Sequence, residues 1–383
     1  MNIFRFVHIS DTHLGSRQYS IKEREDDFYD AFTEAVQIAL DHEVDFVVHS
    51  GDLFDEHRPD NRALSVFRDN IIKLQARTIP FYMIMGDHDR PKKDDIAAAN
   101  IFDFLGVKVL GLEEYESVLH GNGSESILIG GISNMKGMRR ERLKSQYERA
   151  NYEAADNKMA ILISHQAISP YFISEQCEAT SEELPVNFNY MAFGHIHNRL
   201  EKRIGNSIFS YAGSTEIKST NEIDFYMRHG KSINMVSVEN DQTTVEKISL
   251  KSVRPQAMVQ GTLEGVLKSI ETFVSKNRER LEVKKGILTM EIQEKIKAID
   301  VMEAVSQYED LFLIRTPVIK AQEGEKHNVS AMTDSLKDMF LEYFSGDEDT
   351  GKMAYEIYRD VMDNDPEDAV KSIEKRLGIE EKL

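Results

Sequence analysis

Ile3-Phe4-Arg5-Phe6-Val7-His8-Ile9-Ser10-Asp11-Thr12-His13 opens with an apolar, strand-like run that breaks directly into an acid and an imidazole. The arrangement recurs along the chain. Val44-Asp45-Phe46-Val47-Val48-His49 leads into Gly51-Asp52, and Pro80-Phe81-Tyr82-Met83-Ile84-Met85 into Gly86-Asp87-His88-Asp89. Ala160-Ile161-Leu162-Ile163-Ser164 is followed by His165, and Tyr190-Met191-Ala192-Phe193 by Gly194-His195-Ile196-His197. Between the early strands the apolar period changes to 3.6: residues 25–40 place Phe28, Phe32, Ala35, Val36 and Ala39 on one face, and residues 61–75 and 97–105 read as further helices. Further strands are predicted at 126–132 and 207–211. This alternation predicts an α/β chain with a layered αββα core. In open α/β sheets the carboxyl ends of strands converge on one crevice, so acids and histidines far apart in sequence can meet there.

Carboxylate oxygen and neutral imidazole are the donors a divalent first-row metal takes from a protein. Asp11, His13, Asp52, Asp87, His165, His195 and His197 supply enough of them for two ions sharing a bridge. That count predicts a dinuclear hydrolase, because ions about 3.5–4 Å apart activate water and stabilise both oxygens of an in-line displacement at phosphorus. Asp-x-His alone is usually just a loop; the weight comes from five such strand ends together. Gly51, Gly86 and Gly194 fit the same picture, since a backbone without Cβ can come close to a buried centre. His8 reads as a structural strand histidine, and His49 as a support for Asp52 rather than a ligand. His42, His120, His229 and His327 have no neighbours at ligand spacing and read as surface residues.

The chain has 383 residues, 41% of them hydrophobic, which suits two or three domains with sizeable cores. The pattern changes near residues 245–255, so we expect a large core domain over residues 1–245, a smaller α+β domain over 246–325 and a helical segment over 326–383. In that last segment Leu336, Met339, Phe340 and Phe344 share one face. Residues 1–10 lack a long apolar signal region and no stretch reaches the roughly 18 apolar residues of a membrane span. A cytoplasmic location is expected. The single cysteine, Cys177, rules out an internal disulfide and a cysteine-rich zinc site. A net charge of −19 argues against nucleic acid as a partner only if it is evenly spread. Part of the acidity lies in the ligand set and in residues 345–368, and local basic loops can still meet phosphate.

Ile9-Ser10-Asp11-Thr12-His13-Leu14-Gly15, His49-Ser50-Gly51-Asp52-Leu53-Phe54-Asp55, Arg58-Pro59, His165-Gln166, Gly194-His195-Ile196-His197 and Gly213-Ser214-Thr215-Glu216 together resemble the calcineurin-like metallophosphoesterases. Within that superfamily they are most similar to the archaeal SbcD/Mre-eleven nucleases of double-strand-break repair. The resemblance implies one ion on Asp11, His13, Asp52 and His197, and a second on Asp52, Asp87, His165 and His195, with Asp52 bridging. It implies manganese, although the donor set alone also suits Mg, Fe or Zn. It places His88 beside the scissile phosphate, and implies a homodimer through residues 96–105 and an SMC-like ATPase partner of the Rad-fifty/SbcC type on the C-terminal helices.

Two positions depart from that family's pattern. Asp87 stands where the family has Asn, and Asp55 where many members have His; His57, two residues on, is a candidate substitute. For DNA, both double-stranded ends and single-stranded segments, the candidate contacts are Arg17, Arg58, Arg90, Lys92 and Lys93, with Arg139 and Arg140 nearby, all cations that would meet phosphates without reading sequence. Two other functions stay open on the residues alone: a phosphodiesterase for a smaller substrate, and a weakly active or non-catalytic DNA-end scaffold.

Overall fold

The opening apolar run forms strand Ile3–Ile9, which pairs in parallel with Phe46–His49 on one side and antiparallel with Ser232–Glu239 on the other. In the computed structural model, residues 3–90, 96–122, 125–173, 177–240, 242–320, 350 and 352–356 are described. Contacts divide the chain into one unit of residues 1–292 and 296–319 and another of residues 293–295 and 320–383. In the second, residues 352–356 are helical, and the helix expected around Leu336 to Phe344 lies outside the described residues.

The first unit holds two six-stranded mixed sheets face to face. One runs Gln242–Ser249, Ser232–Glu239, Ile3–Ile9, Phe46–His49, Phe81–Met83, Val107–Val109; the other runs Leu200–Ile204, Ser207–Tyr211, Tyr190–Gly194, Ala160–His165, Glu125–Ile132, Glu116–Asn122. Their inner faces interdigitate: Phe6, Phe46, Val48 and Ile84 meet Ile127, Ile129, Ile161, Ile163 and Ala192 in one buried cluster. The outer faces carry helices. Lys22–Asp41 and Asn61–Gln75 cover the first sheet through Phe32, Ala35, Val36, Phe67 and Ile71, and Arg140–Ala155 covers the second through Leu143, Tyr147 and Ala150. The layered αββα expectation is met. Asp60 caps the helix Asn61–Gln75, its carboxylate accepting from Ala63 N at 2.8 Å.

Segment 97–105 is a 3-10 helix, Ala98–Leu105, rather than an α-helix, and it stops at Gly106, whose φ of +86° a residue with a Cβ rarely adopts. Beyond the core, Gln256–Gly261, Gly286–Ile292, Phe312–Ile314 and Val318–Ile319 form a separate four-stranded sheet. Every pairing in it is parallel, and helices Leu263–Val283 and Ala298–Val305 are its crossovers, so the helices alternate with strands instead of standing apart as an α+β layout would have them. Val266, Ile270, Leu288, Met290, Val301 and Phe312 give this sheet its own core.

A buried ionic knot fastens the small sheet to the large ones. Asp27, fully buried, accepts from Arg24 at 2.6 Å, from Arg254 at 2.5 and 3.0 Å and from Lys284 at 3.0 Å. Removing that carboxylate leaves the buried Arg254 guanidinium without its acid and Arg24 with Glu216 alone, a loss of about 3–5 kcal/mol. Asp27→Ala is therefore expected to lower the urea midpoint sharply in equilibrium unfolding, and an unchanged midpoint would show that the knot contributes nothing.

Candidate metal centre

The parallel core strands of both sheets end on the same rim, and that topology gathers the ligand candidates. Ile9 pairs in register with His49, so Asp11 and Asp52 leave neighbouring strands side by side; Gly194 pairs with His165, which does the same for His165, His195 and His197. The chain then turns hard. Asp11, His13, Asp52 and His195 all have positive φ, at 49°, 43°, 55° and 88°. For residues with a Cβ this conformation is strained, and such strain persists where the surroundings over-determine it. Gly86 and Gly194 are tied to the same crowding: a Cβ on Gly86 would strike Asp52, and one on Gly194 would strike the Ser50 carbonyl.

Four overlapping groups of donors result, each with its ligand atoms within 4.8 Å of one another: Asp11, His13 and His197; His13, Asp52 and His88; Asp87, His165 and His195; Asp11, Asp52 and His165. Asp52 Oδ2 lies 3.8 Å from His13 Nε2 and 3.5 Å from His165 Nε2, between the two halves of the set. Asp87 Oδ1 is 3.2 Å from both His165 Nε2 and His195 Nδ1. On the other side His13 Nε2 and His197 Nε2 are 3.2 Å apart, and Asp11 Oδ1 is 3.8 Å from His197 Nε2. Seven candidate ligands from five strand ends thus converge. The donors are oxygen and imidazole nitrogen, arranged around two foci with Asp52 common to both, which suits a pair of divalent cations.

Neighbouring groups orient the rings. His165 Nδ1 donates to Ser50 O at 2.7 Å and His197 Nδ1 to Glu222 Oε1 at 2.8 Å, leaving each Nε2 free to face the centre. Asp11 accepts from the Ser10 hydroxyl and, at 3.0 Å, from His195 N. Burial works against charge on Asp52, but His165 and His13 outweigh it and hold the carboxyl below its ordinary range; Asp87 is held down in the same way, burial opposed by His165, His195 and Lys136. His165 is pushed up: burial disfavours its charge, and Asp52 and Asp87 more than compensate. His13 is pushed well down, chiefly by burial. Asp89, buried, receives Leu53 N, Phe54 N and Gly86 N at 3.0, 2.9 and 3.2 Å and so ties the second ligand loop to the third. Its carboxyl is raised to about 6 by burial and by the charge of Asp52, against those three backbone donors.

His88 is held differently from the ligands. Its backbone N donates to Asp52 Oδ1 at 3.0 Å and its Nδ1 to the Asp55 carbonyl at 2.7 Å, which leaves Nε2 as the ring nitrogen for a substrate oxygen. His49 does not contact Asp52 as expected. Its Nδ1 accepts from Gly51 N at 3.2 Å and its Nε2 faces Thr12 Oγ1 at 3.0 Å, so it braces the backbone beside both aspartates; burial lowers it to about 3 and keeps it neutral. His8 is likewise structural, set between Tyr190 and Ser50. His57 is half-buried.

Asp87 and Asp55 are each paired with a lysine. Lys136 Nζ is 2.8 Å from Asp87 Oδ2, and Lys218 pairs with Asp55. Nothing in the spacing pointed to either lysine, nor to Glu222, because all three arrive from loops whose approach only the fold defines. Among the DNA candidates, Arg17 and Arg58 line an open groove of 410 Å³ together with Leu14, Gly15, Asp55, Glu56, Pro59 and Asp60, and Arg17, largely exposed, is paired with Glu25 at 2.5 Å. Arg90 is instead spent inside the fold: its guanidinium is 10% exposed and donates to Asn134 O, Leu112 O and Glu113 at 2.9, 2.5 and 2.7 Å. Arg140 donates to Glu178 O at 3.2 Å, and Lys92 and Lys93 lie outside the described residues.

The calcineurin-like phosphoesterase model matches residues 4–199. The DNA double-strand break repair protein Mre11 of Thermoplasma acidophilum is 43% identical over 97% of this chain and 98% of its own length. Proteins of the same name from Methanococcus maripaludis and Sulfolobus acidocaldarius are each 30% identical, over 94% and 99% of this chain and 96% and 100% of theirs. With a family model across half of its length, ending just past the last ligand, and near full-length likeness to these relatives, the chain belongs to the calcineurin-like phosphoesterases, in their archaeal Mre11 branch.

Proposed function

We infer that this chain is a metal-dependent DNA nuclease that processes double-strand breaks. The observation that carries the reading is the pairing of two donor clusters around Asp52 with one imidazole, His88, whose Nε2 is left for substrate. Asp11, His13, Asp52 and His197 would hold one cation, and Asp52, Asp87, His165 and His195 the other. When bound, the ions would polarise the phosphate and lower the pKa of water at the site. His88 stands ready to deliver a proton to the leaving oxygen, and the Asp55 carbonyl on its Nδ1–H stabilises the imidazolium that does so. Arg17 and Arg58 are the cations of a groove that also carries Asp55, Glu56 and Asp60, and are the proposed contacts for a phosphate backbone.

Manganese is the proposed ion, with exonuclease action on duplex ends and endonuclease action on single strands. The exposed Ile96, Ile101 and Phe104, at 76%, 57% and 73%, support a homodimer contact around the 3-10 helix. The segment 326–383 is the proposed docking element for an SMC-like ATPase, following a core of 1–245 and a capping domain of 246–325. Among the described residues no helix is long and apolar enough to cross a membrane.

The test is cleavage of linear duplex and of circular single strands with Mn2+, with and without chelator, beside a cyclic nucleotide. Hydrolysis of the nucleotide but not of DNA would favour the small-substrate reading. DNA binding without metal-dependent cleavage would favour a scaffold.

Asp87→Asn is expected to raise turnover. It keeps an oxygen donor while removing a negative charge beside the incoming phosphate. Lys136 already offsets part of that charge, so the relief is about 1 kcal/mol at an effective dielectric near 20, roughly fivefold. Equal or lower kcat at saturating Mn2+ would contradict it.

A further inference from the structure

Asp55 Oδ1 lies 3.3 Å from His13 Nδ1, while Lys218 Nζ pairs with Asp55 and sits 3.2 Å from the same ring nitrogen. The side chains of His13, Asp55 and Lys218 are 0%, 23% and 22% exposed, so the cluster is largely shielded from solvent. One nitrogen cannot serve both neighbours in the same way. His13 Nε2 faces His197 Nε2 and Asp52, at the focus of the donor set. An imidazole that gives its Nε2 lone pair to a cation carries its proton on Nδ1, and that N–H needs an acceptor. The lysine ammonium has none to offer; the carboxylate does.

The construction is repeated at the ring opposite. His197 Nδ1 donates to Glu222 Oε1 at 2.8 Å, and Glu222 is in turn paired with the buried Lys231. A carboxylate and a lysine therefore stand behind both histidines of one cation focus; Lys218 and Glu222 come from one segment, where Lys218 N donates to Glu222 Oε1 at 3.2 Å, and Lys218, unlike Lys231, also reaches its histidine ring directly.

We propose that Asp55 is the positioning residue for His13, accepting its Nδ1–H so that Nε2 points at the cation, and that Lys218 neutralises Asp55 toward the approaching phosphate. A carboxylate at this rim is thus a working part of the centre, and the lysine is its counter-charge. The two roles predict opposite signs for the two variants, and both rest on the metal-binding reading above.

Titration calorimetry of the full chain with Mn2+ alone separates them. Wild type takes up two ions. Asp55→Asn loses about tenfold or more in affinity for one of them, Asp55→Glu, which retains the acceptor, recovers most of it, and unfolding in chelator reports that each variant is folded. Lys218→Met binds Mn2+ as tightly as wild type or tighter, since a neighbouring positive charge is gone, while its KM for duplex rises. Wild-type Mn2+ affinity in Asp55→Asn, or equal losses in Asp55→Asn and Lys218→Met, overturns the proposal. A wild-type chain that takes up no Mn2+ sinks the metal reading itself, a separate failure.

Discussion

Asp52→Ala is expected to abolish uptake of both ions at working concentrations and to cut DNA cleavage on the order of 10⁴-fold or more. The size follows from what is lost when water is no longer activated, its pKa falling from 15.7 to about 7 only on a bound cation. Asp52 lies between the halves of the donor set, 3.8 Å from His13 Nε2 and 3.5 Å from His165 Nε2. It also receives His88 N at 3.0 Å, so its removal loosens the third loop together with the ligands. By contrast, Asp11→Ala takes a ligand from a single focus and is expected to leave the other ion bound. Calorimetry with Mn2+ distinguishes the cases: no ion for Asp52→Ala, one for Asp11→Ala. Two ions retained by Asp52→Ala would remove the bridge from the scheme. The variant's fold is checked in chelator, where the buried imidazoles of His13 and His165 no longer have their shared acid and a modest loss of stability is expected.

The site could be read from sequence because its residues sit where strands stop, and strand ends are among the features that an apolar run announces. Asp11, Asp52, Asp87, His165 and His195 each follow such a run, and parallel pairing does the rest. What the pattern could not carry is charge compensation across loops. Lys136, Lys218 and Glu222 reach Asp87, Asp55 and His197 over long sequence separations, and each looks like a solvated surface charge until the fold is known. Arg90 shows the converse. Its place beside His88 suggested a phosphate contact, yet three acceptors from two other segments hold its guanidinium inside the fold. The helix Arg140–Ala155 escaped notice for a related reason: its buried stripe is Leu143, Gln146, Tyr147, Ala150 and Ala154, thin in large aliphatics and crowded by arginine and glutamate. The strand Gln242–Ser249 was missed because it lies at the sheet edge with alternating exposure and few large apolar side chains.

His88→Ala is the variant that separates chemistry from assembly, with an expected fall in kcat of about 10²–10⁴-fold. Metal affinity should hold, because His88 Nδ1 is committed to the Asp55 carbonyl and, although His88 also falls in a donor group with His13 and Asp52, each proposed cation has four donors without it. Duplex affinity should hold as well, since one half-buried imidazole adds little to a phosphate-dominated interface. A group that merely supported the loop would behave otherwise: its loss would let Asp52 shift, and Mn2+ affinity would fall along with turnover. The backbone bond from His88 N to Asp52 Oδ1 survives truncation to alanine, so loop geometry is preserved while the proton carrier is removed. His88→Asn probes the same point with a side chain that can still donate to the Asp55 carbonyl but cannot deliver a proton at neutral pH. Both variants should therefore be equally slow if proton delivery is what His88 contributes. Recovery of activity in His88→Asn would mean that the side chain acts by holding Asp55 in place, and the proton would have to come from elsewhere in the site.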